Sequence, residues 1–164
     1  MIKHNIKRII TKKNVLFFIF IMSVYYVYKA FHPATIVAVY QTENRSTVLV
    51  RNLPFTDAGK LAWWKINKKI LNEQYGVPMD NSKGHFHISF WNFGDGFKEM
   101  PEHVSRWSSE TTDLLCFEEM KVKKNCIDKD MEMVIFNTMA GNILIRSDGK
   151  YREEKNGDIV KAKW

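Results

Sequence analysis

VLFFIFIMSVYYVY, residues 15–28, is a run of fourteen residues that carries no charge. Five cations precede this run and no acid does, since the first acidic residue of the chain is Glu43. A basic leader before an apolar run is typical of a membrane helix whose N-terminus stays in the cytoplasm. The pattern therefore predicts a single-pass membrane protein with a cytoplasmic N-terminus and a C-terminal domain on the far side of the membrane.

The predicted transmembrane helix covers residues 14–33, after a basic cytoplasmic tail of residues 1–13. The uncharged run rises only about 21 Å, against a hydrocarbon core of about 30 Å. Residues 14–32 together reach about 28 Å, and the flanking lysines can lie along lipid and lift their ammonium groups to the headgroups. The residues predicted to contact lipid are Val15, Leu16, Phe17, Phe18, Ile19, Phe20, Ile21, Met22, Ser23, Val24, Tyr25, Tyr26, Val27 and Tyr28.

A cleaved secretory signal is the alternative to a retained helix, because it also combines a basic start with an apolar stretch. Such a signal needs small residues at its cleavage site. Residues 28–31 are Tyr-Lys-Ala-Phe, which places bulky or charged groups at the candidate positions. A retained anchor is therefore the preferred interpretation, and both interpretations export the same domain.

The charge of the chain is unevenly distributed. The formal net charge is +7, and six of the 25 lysines and arginines lie in residues 1–34. Residues 35–164 hold 19 bases and 18 acids, a net charge of +1. Basicity confined to a leader indicates membrane topology and gives no basic surface for a polyanion. We expect no nucleic-acid partner.

Residues 35–164 predict one exported domain of the α+β class. Thr56 can cap a helix that runs to Tyr75 and stops at Gly76, with Trp63 and Trp64 on its apolar side. The expected fold is a mostly antiparallel sheet with this one long amphipathic helix packed on it. Stretches with strand character, outside a polar surface loop at 98–113, are 35–42, 46–52, 85–93, 131–138, 142–147 and 151–153.

Cys116 and Cys126 are the only two cysteines. An even number of cysteines in an exported domain normally forms disulfides. A bridge between these two would close a short and strongly charged loop, which is worth about 3 kcal/mol in the chain-entropy model. We predict this disulfide.

His85 and His87 are the weak candidates for a metal site. Alternate residues of a strand project from the same face, so both imidazoles could reach one ion. A third ligand could come from Asp95 or His103, but histidines on the outer face of a sheet are more often surface polar groups. We predict no metal, no cofactor and no catalytic residue.

Three segments of the chain have a distinctive combination of residues. They are Pro54-Phe55-Thr56-Asp57 with Gly59-Lys60 and Trp63-Trp64, then Phe90-Trp91-Asn92-Phe93-Gly94-Asp95-Gly96-Phe97-Lys98, then Leu115-Cys116-Phe117 with Met120-Lys121 and Lys123-Lys124-Asn125-Cys126-Ile127. Together these segments resemble an uncharacterised family of enterobacterial membrane proteins, domain of unknown function 943. The resemblance implies a bacterial inner-membrane protein with one N-terminal anchor and a periplasmic domain. It brings no activity and no catalytic residues.

The functional prediction is a non-enzymatic periplasmic binding domain, held to the lipid bilayer by its N-terminal helix and directed at a protein partner. Immunity against a toxin that acts in the periplasm is one specific form of this function. Two alternatives are a metal-assisted hydrolase of the envelope and a structural subunit of a membrane complex. Exposed aromatic residues often dominate interfaces, and the candidate binding surface is Trp91, Asp95, Phe97 and Trp107.

Overall fold

The computed structural model describes residues 2–78, 84–103 and 111–162. The chain divides into two compact units, Met1–Pro33 and Ala34–Trp164. The first unit contains helix α1, Ile2–Phe31. The elements of the second unit are β1 (Thr35–Thr42), β2 (Arg45–Arg51), α2 (Asp57–Tyr75), β3 (His87–Asn92), β4 (Lys98–Glu99), β5 (Leu114–Cys116), a 3-10 turn (Glu118–Met120), β6 (Lys124–Asp128), β7 (Met131–Asn137), β8 (Ile143–Arg146), β9 (Lys150–Glu153) and β10 (Ile159–Lys161).

The predicted transmembrane helix is wrong. Helix α1 begins at Ile2, well before residue 14, and so includes the basic stretch. No helix within residues 2–78, 84–103 and 111–162 is both long enough and apolar enough to cross a bilayer. The physical reason is length, because fourteen uncharged residues rise about 21 Å and every extension toward about 30 Å takes in polar or charged side chains. The single-pass topology therefore has no support in the structure.

The apolar residues of α1 are nevertheless exposed all around the helix. Each described side chain from 15 to 28 is open to solvent, and Phe18 is 69% exposed.

The predicted fold class is also wrong as a whole. The sequence analysis expected one long helix on a single mostly antiparallel sheet, behind a transmembrane helix. The described part of the chain instead forms two helices and ten strands, and the strands make two sheets. The larger sheet has the order β1-β2-β3-β7-β8-β9-β10, and the smaller has the order β4-β6-β5.

One pair of neighbours in the larger sheet is parallel. Strands β2 and β3 run in the same direction, and Arg45 lies opposite His87 and Thr47 opposite Ser89. A parallel pair needs a long crossover, which α2 supplies between the two strands. The other pairs in both sheets are antiparallel.

Helix α2 has the bounds that its capping residues predict. The hydroxyl of Thr56 accepts a hydrogen bond from the amide of Gly59 at 3.2 Å. Gly76 ends the helix in the left-handed conformation, with φ +63°, where a residue without Cβ is favoured. Trp63, Trp64 and Leu71 are buried, whereas Ile66 is 71% exposed.

The main core lies between α2 and one face of the larger sheet. Alternate residues of each strand contribute to it, because strand side chains point to opposite faces in turn. Both tryptophans of α2 make edge-to-face contacts with Phe90. The other buried members include Val48, Val50, Ile88, Met133, Ile135 and Ile145.

The smaller sheet covers part of the opposite face of the larger sheet. A second core forms there around Leu49, Phe93, Phe117 and Ile127. Cys116 and Cys126 lie directly opposite each other on β5 and β6, and the predicted disulfide is present. The bridge therefore ties together two strands that are only three and five residues long.

Candidate functional site

The candidate site is the part of the larger sheet's second face that the smaller sheet leaves open. Strand pairing sets its layout in two rows. The first row crosses the sheet from Arg45 through His87 to Phe136. The second row crosses from Thr47 through Ser89 and Val134 to Arg146. Residues from the four strands β2, β3, β7 and β8 therefore share one surface.

A groove of about 530 Å³ lies over these rows. Its floor is closed, because Ser89 and Val134 are only 9% and 8% exposed. Its rim is open, because Arg45, His87 and Arg146 are exposed. The described residues that line it are Arg45, Thr47, His87, Ser89, Trp91, Leu115, Met131, Val134, Phe136 and Arg146. This volume is typical of a ligand site.

The lining of the groove carries positive charge. Among the residues that the structure describes, none of those that line it is acidic. Neither the Arg45 nor the Arg146 guanidinium forms an ion pair with any residue in the described ranges. By contrast, Arg152 pairs with Glu154 at 2.6 Å. Two guanidiniums without an acidic partner over a buried floor favour an anion, which each can bind in a bidentate manner.

The surroundings of His87 favour its uncharged form. Its ring stacks on Phe136 with 6.2 Å between the ring centroids. Burial of the imidazole lowers its pKa below the ordinary value of 6.5, and the nearby positive charge of Arg45 lowers the pKa further. The positive charge of the groove at neutral pH therefore comes from its two arginines.

The two histidines proposed for a metal do not gain a third ligand in the part of the chain that the structure describes. No group of three or more His, Cys, Asp or Glu side chains there could hold a metal ion. His87 lines the groove, and His85 lies just before β3.

The described residues of the candidate binding surface, Trp91, Asp95 and Phe97, lie in β3 and in the short segment between β3 and β4. Trp91 lines the groove and packs against the second core. Phe97 also packs against this core, 5.0 Å from the ring of Phe93. Asp95 is exposed in the turn before β4. Trp107 lies outside the described residues.

Sequence reasoning missed Arg45 and Arg146. A usable signal was present for Arg45. Successive side chains of β2 point to opposite faces of the sheet, so Arg45 and Thr47 lie on the face away from the buried Val48 and Val50. Nothing local brings Arg146 to the same surface. That proximity comes from the strand order, in which β3 and β7 separate β2 from β8.

A second cavity of about 470 Å³ adjoins the groove, and Arg146 borders both. Its charges are of both signs. The buried ammonium of Lys60 lies 2.7 Å from a carboxylate oxygen of Glu132, and Asp130 and Asp148 are also in the lining. The ion pair joins α2 to β7, so this cavity contains a structural contact between elements.

Asp57 joins the start of α2 to the turn between β8 and β9. Its carboxylate accepts hydrogen bonds from the Tyr151 hydroxyl at 2.6 Å and from the amide of Gly149 at 2.9 Å. Burial alone would raise the pKa of Asp57, but hydrogen bonds from Tyr151, Ser147 and two backbone amides lower it below its usual value. The same contact raises the pKa of the Tyr151 hydroxyl.

The β-rich unit is a small two-sheet domain with an open groove, and it follows a separate helical unit along the chain. Residues 3–163 match the model of the family described as "Enterobacterial putative membrane protein (DUF943)". The chain therefore belongs to this family, which confirms the resemblance drawn from the sequence. No curated protein and no solved structure matches the chain.

Proposed function

We propose that this chain is a membrane-attached binding domain of the periplasm, which captures a protein partner in the groove. The observation that carries the proposal is the open groove with two unpaired arginines, Arg45 and Arg146, on a face that the protein's own smaller sheet leaves uncovered. Arginine and tryptophan are over-represented among the residues that dominate interface energies, and the groove contains both.

The disulfide supports a periplasmic location for the β-rich unit. Disulfides persist in the bacterial periplasm and are rare in the cytosol. Blocking free thiols with a membrane-permeant alkylating reagent in intact cells tests the location. We expect Cys116 and Cys126 to resist modification until a reductant is added, whereas rapid modification before reduction would contradict a periplasmic location.

We further propose that α1 attaches the chain to lipid. This attachment does not require the helix to span the bilayer. Its fourteen uncharged residues are exposed on every side, and exposed apolar surface of this extent marks a contact with a membrane or a partner. The cations of residues 1–13 suit anionic headgroups. Replacing Phe17 and Phe18 by serine should release the chain from the membrane fraction, while replacing the exposed Ile66 of α2 should not.

Position-specific photo-crosslinking in cells tests the binding function. A crosslinker at Thr47, inside the groove, should give one discrete adduct with a partner protein. The matched control is a crosslinker at Lys69, which is exposed on α2 and lies over the opposite face of the sheet. The same adducts from both positions, or none from Thr47, would argue against the groove as the binding surface.

A toxin that acts in the periplasm is one specific partner that suits this proposal. In that form, the groove neutralises the toxin by covering part of its surface. Cells that lack the chain should then be killed by a toxin directed to the periplasm, and cells that carry an Arg45→Gln/Arg146→Gln variant should be killed as well. Equal survival with and without the chain would contradict this form of the function.

A further inference from the structure

We propose that the segment of the partner that enters the groove is acidic, and that its carboxylates bind Arg45 and Arg146. This inference rests on the proposed function, because it names the chemistry of the partner. It is carried by the charge of the groove, by the positions of the two arginines and by the shape of the rim.

Two other cations of the domain form ion pairs within it. Lys68 pairs with Glu153, and Lys98 pairs with Asp128. Arg45 and Arg146 have no ion-pair partner in the described part of the chain, and no acid lines their groove. A carboxylate supplied by another molecule would give each guanidinium the charge-assisted pair that it lacks.

The two arginines are placed to bind separate carboxylates of one segment. Arg45 is on β2 and Arg146 is on β8, with β3 and β7 between them. Three strand spacings separate them by about 14 Å across the sheet, and the offset between the rows adds about 7 Å along the strands. An extended peptide repeats its side chains on one side about every 7 Å, so acidic side chains a few residues apart can approach both.

The shape of the groove favours a peptide segment over a small molecule. Small-molecule sites enclose most of the ligand surface, whereas the rim here is formed by exposed side chains and only the floor is buried. Trp91 and Phe136 add apolar walls that can contact side chains between the carboxylates. An open groove of this kind leaves room for the rest of the partner protein outside.

The test uses the full chain in a non-ionic detergent and the peptides hexaglutamate and hexaglutamine as probes. We expect hexaglutamate to bind at least about tenfold more tightly than hexaglutamine at low ionic strength. Arg45→Gln and Arg146→Gln should each weaken hexaglutamate binding by about tenfold or more. The matched control is Arg152→Gln on β9, an arginine outside the groove, which should leave the affinity unchanged.

Three results would overturn the inference. The first is equal affinity for both peptides, and the second is an equal loss in Arg152→Gln and Arg45→Gln. The third is binding of free suberate as tight as that of hexaglutamate, which would make the groove a small-molecule site. Circular dichroism and the thermal midpoint of each variant establish that the comparison is made between folded proteins.

The inference and the proposed function can fail separately. A protein adduct at Thr47 that survives loss of both arginines would uphold the binding function and overturn the acidic segment. Arginine-dependent binding of hexaglutamate without any adduct in cells would uphold the acidic specificity and count against the cellular function.

Discussion

Asp57 is the residue at which a single side chain connects two distant elements. One carboxylate joins the first turn of α2 to the turn between β8 and β9 through hydrogen bonds to Gly149 and Tyr151. Its negative charge also lies at the positive end of the helix. The sequence analysis identified the helix start but not this contact, because residues 57 and 149 are far apart in the chain.

Asp57→Asn should lower the free energy of unfolding by about 1–3 kcal/mol at pH 7, since it weakens hydrogen bonds to a charged acceptor. The folded state lowers the pKa of Asp57. The stabilisation is therefore fully present above the unfolded pKa of about 4 and is lost as the pH falls through the lower folded value. Urea unfolding at a series of pH values around these two pKa values measures this stabilisation. Asp95→Asn, in an exposed turn, is the control, and a loss that does not depend on pH would contradict the explanation.

The adjacent tryptophans of α2 offer a matched comparison. The Trp64 indole donates to a carboxylate oxygen of Glu153 at 3.1 Å, whereas the buried Trp63 indole N–H has no partner within the described part of the chain. Trp64→Phe should therefore cost about 1–2 kcal/mol more than Trp63→Phe, which removes an unsatisfied donor. Chemical unfolding of the two variants measures the difference, and equal losses would show that both indole N–H groups are equally satisfied.

Arg45→Gln should raise the pKa of His87 toward its ordinary value. The change removes the positive charge that disfavours the imidazolium, while burial, the larger cause of the lowered pKa, remains. A histidine-detected NMR titration follows the ring directly. Arg152→Gln should leave the pKa of His87 unchanged. A fall in the His87 pKa in Arg45→Gln would contradict the proximity of Arg45 and His87.

At the scale of elements, local chemistry made α2 predictable. A capping threonine and a left-handed glycine are signals contained in a few residues, and they set both ends of the helix. Strands of the larger sheet were also predictable, from the alternation of apolar and polar residues along each of them. Helix α1 was mispredicted because hydropathy locates an apolar run but does not stop a helix from continuing through the basic residues before it.

Gly59→Ala tests the packing at the start of α2. Alanine has the higher helix propensity by about 1 kcal/mol. A Cβ at residue 59 would nevertheless lie 2.5 Å from the Pro54 Cβ atom, which is far inside contact distance. We expect a net destabilisation of about 1–3 kcal/mol from this overpacking, measured by thermal and urea unfolding. Lys69→Ala, on the exposed side of α2, should be close to neutral, and a stabilised Gly59→Ala would contradict the close approach.

The smaller sheet could not be predicted from local pattern. Strand β4 has two residues and β5 has three, and β6 begins in a strongly charged stretch. Such short strands gain little from their own propensity. Their order comes from the disulfide and from the aromatic contacts of Phe117 with Tyr40 and Phe97.

A Cys116→Ser/Cys126→Ser variant should lose about 3 kcal/mol of stability in the chain-entropy model. Hydrogen exchange should show faster opening of β5 and β6 than of β7, since β7 belongs to the main core. The reduced wild-type protein is the control, because it keeps both side chains and loses only the bond. Uniform faster exchange over the whole domain would contradict a local role for the bridge.

At the scale of the whole molecule, the pairing of strands decides the site. The groove exists because β2, β3, β7 and β8 are neighbours, and this order joins residues 45 and 146 across about a hundred positions of chain. Periodicity identifies a strand and its faces but contains no information about which strand lies beside it. The sequence therefore indicated much of the secondary structure, and the candidate site became visible only with the topology.

The disulfide has a consequence for how the protein matures. A chain with two cysteines has a single possible intramolecular pairing, so its oxidation calls for an electron acceptor and never for reshuffling of wrong bonds. The partners are ten positions apart, so, if the domain is exported as proposed, both thiols can meet soon after they leave a translocation pore. An envelope that lacks isomerase activity but retains an oxidase should therefore still accumulate this protein in its mature form.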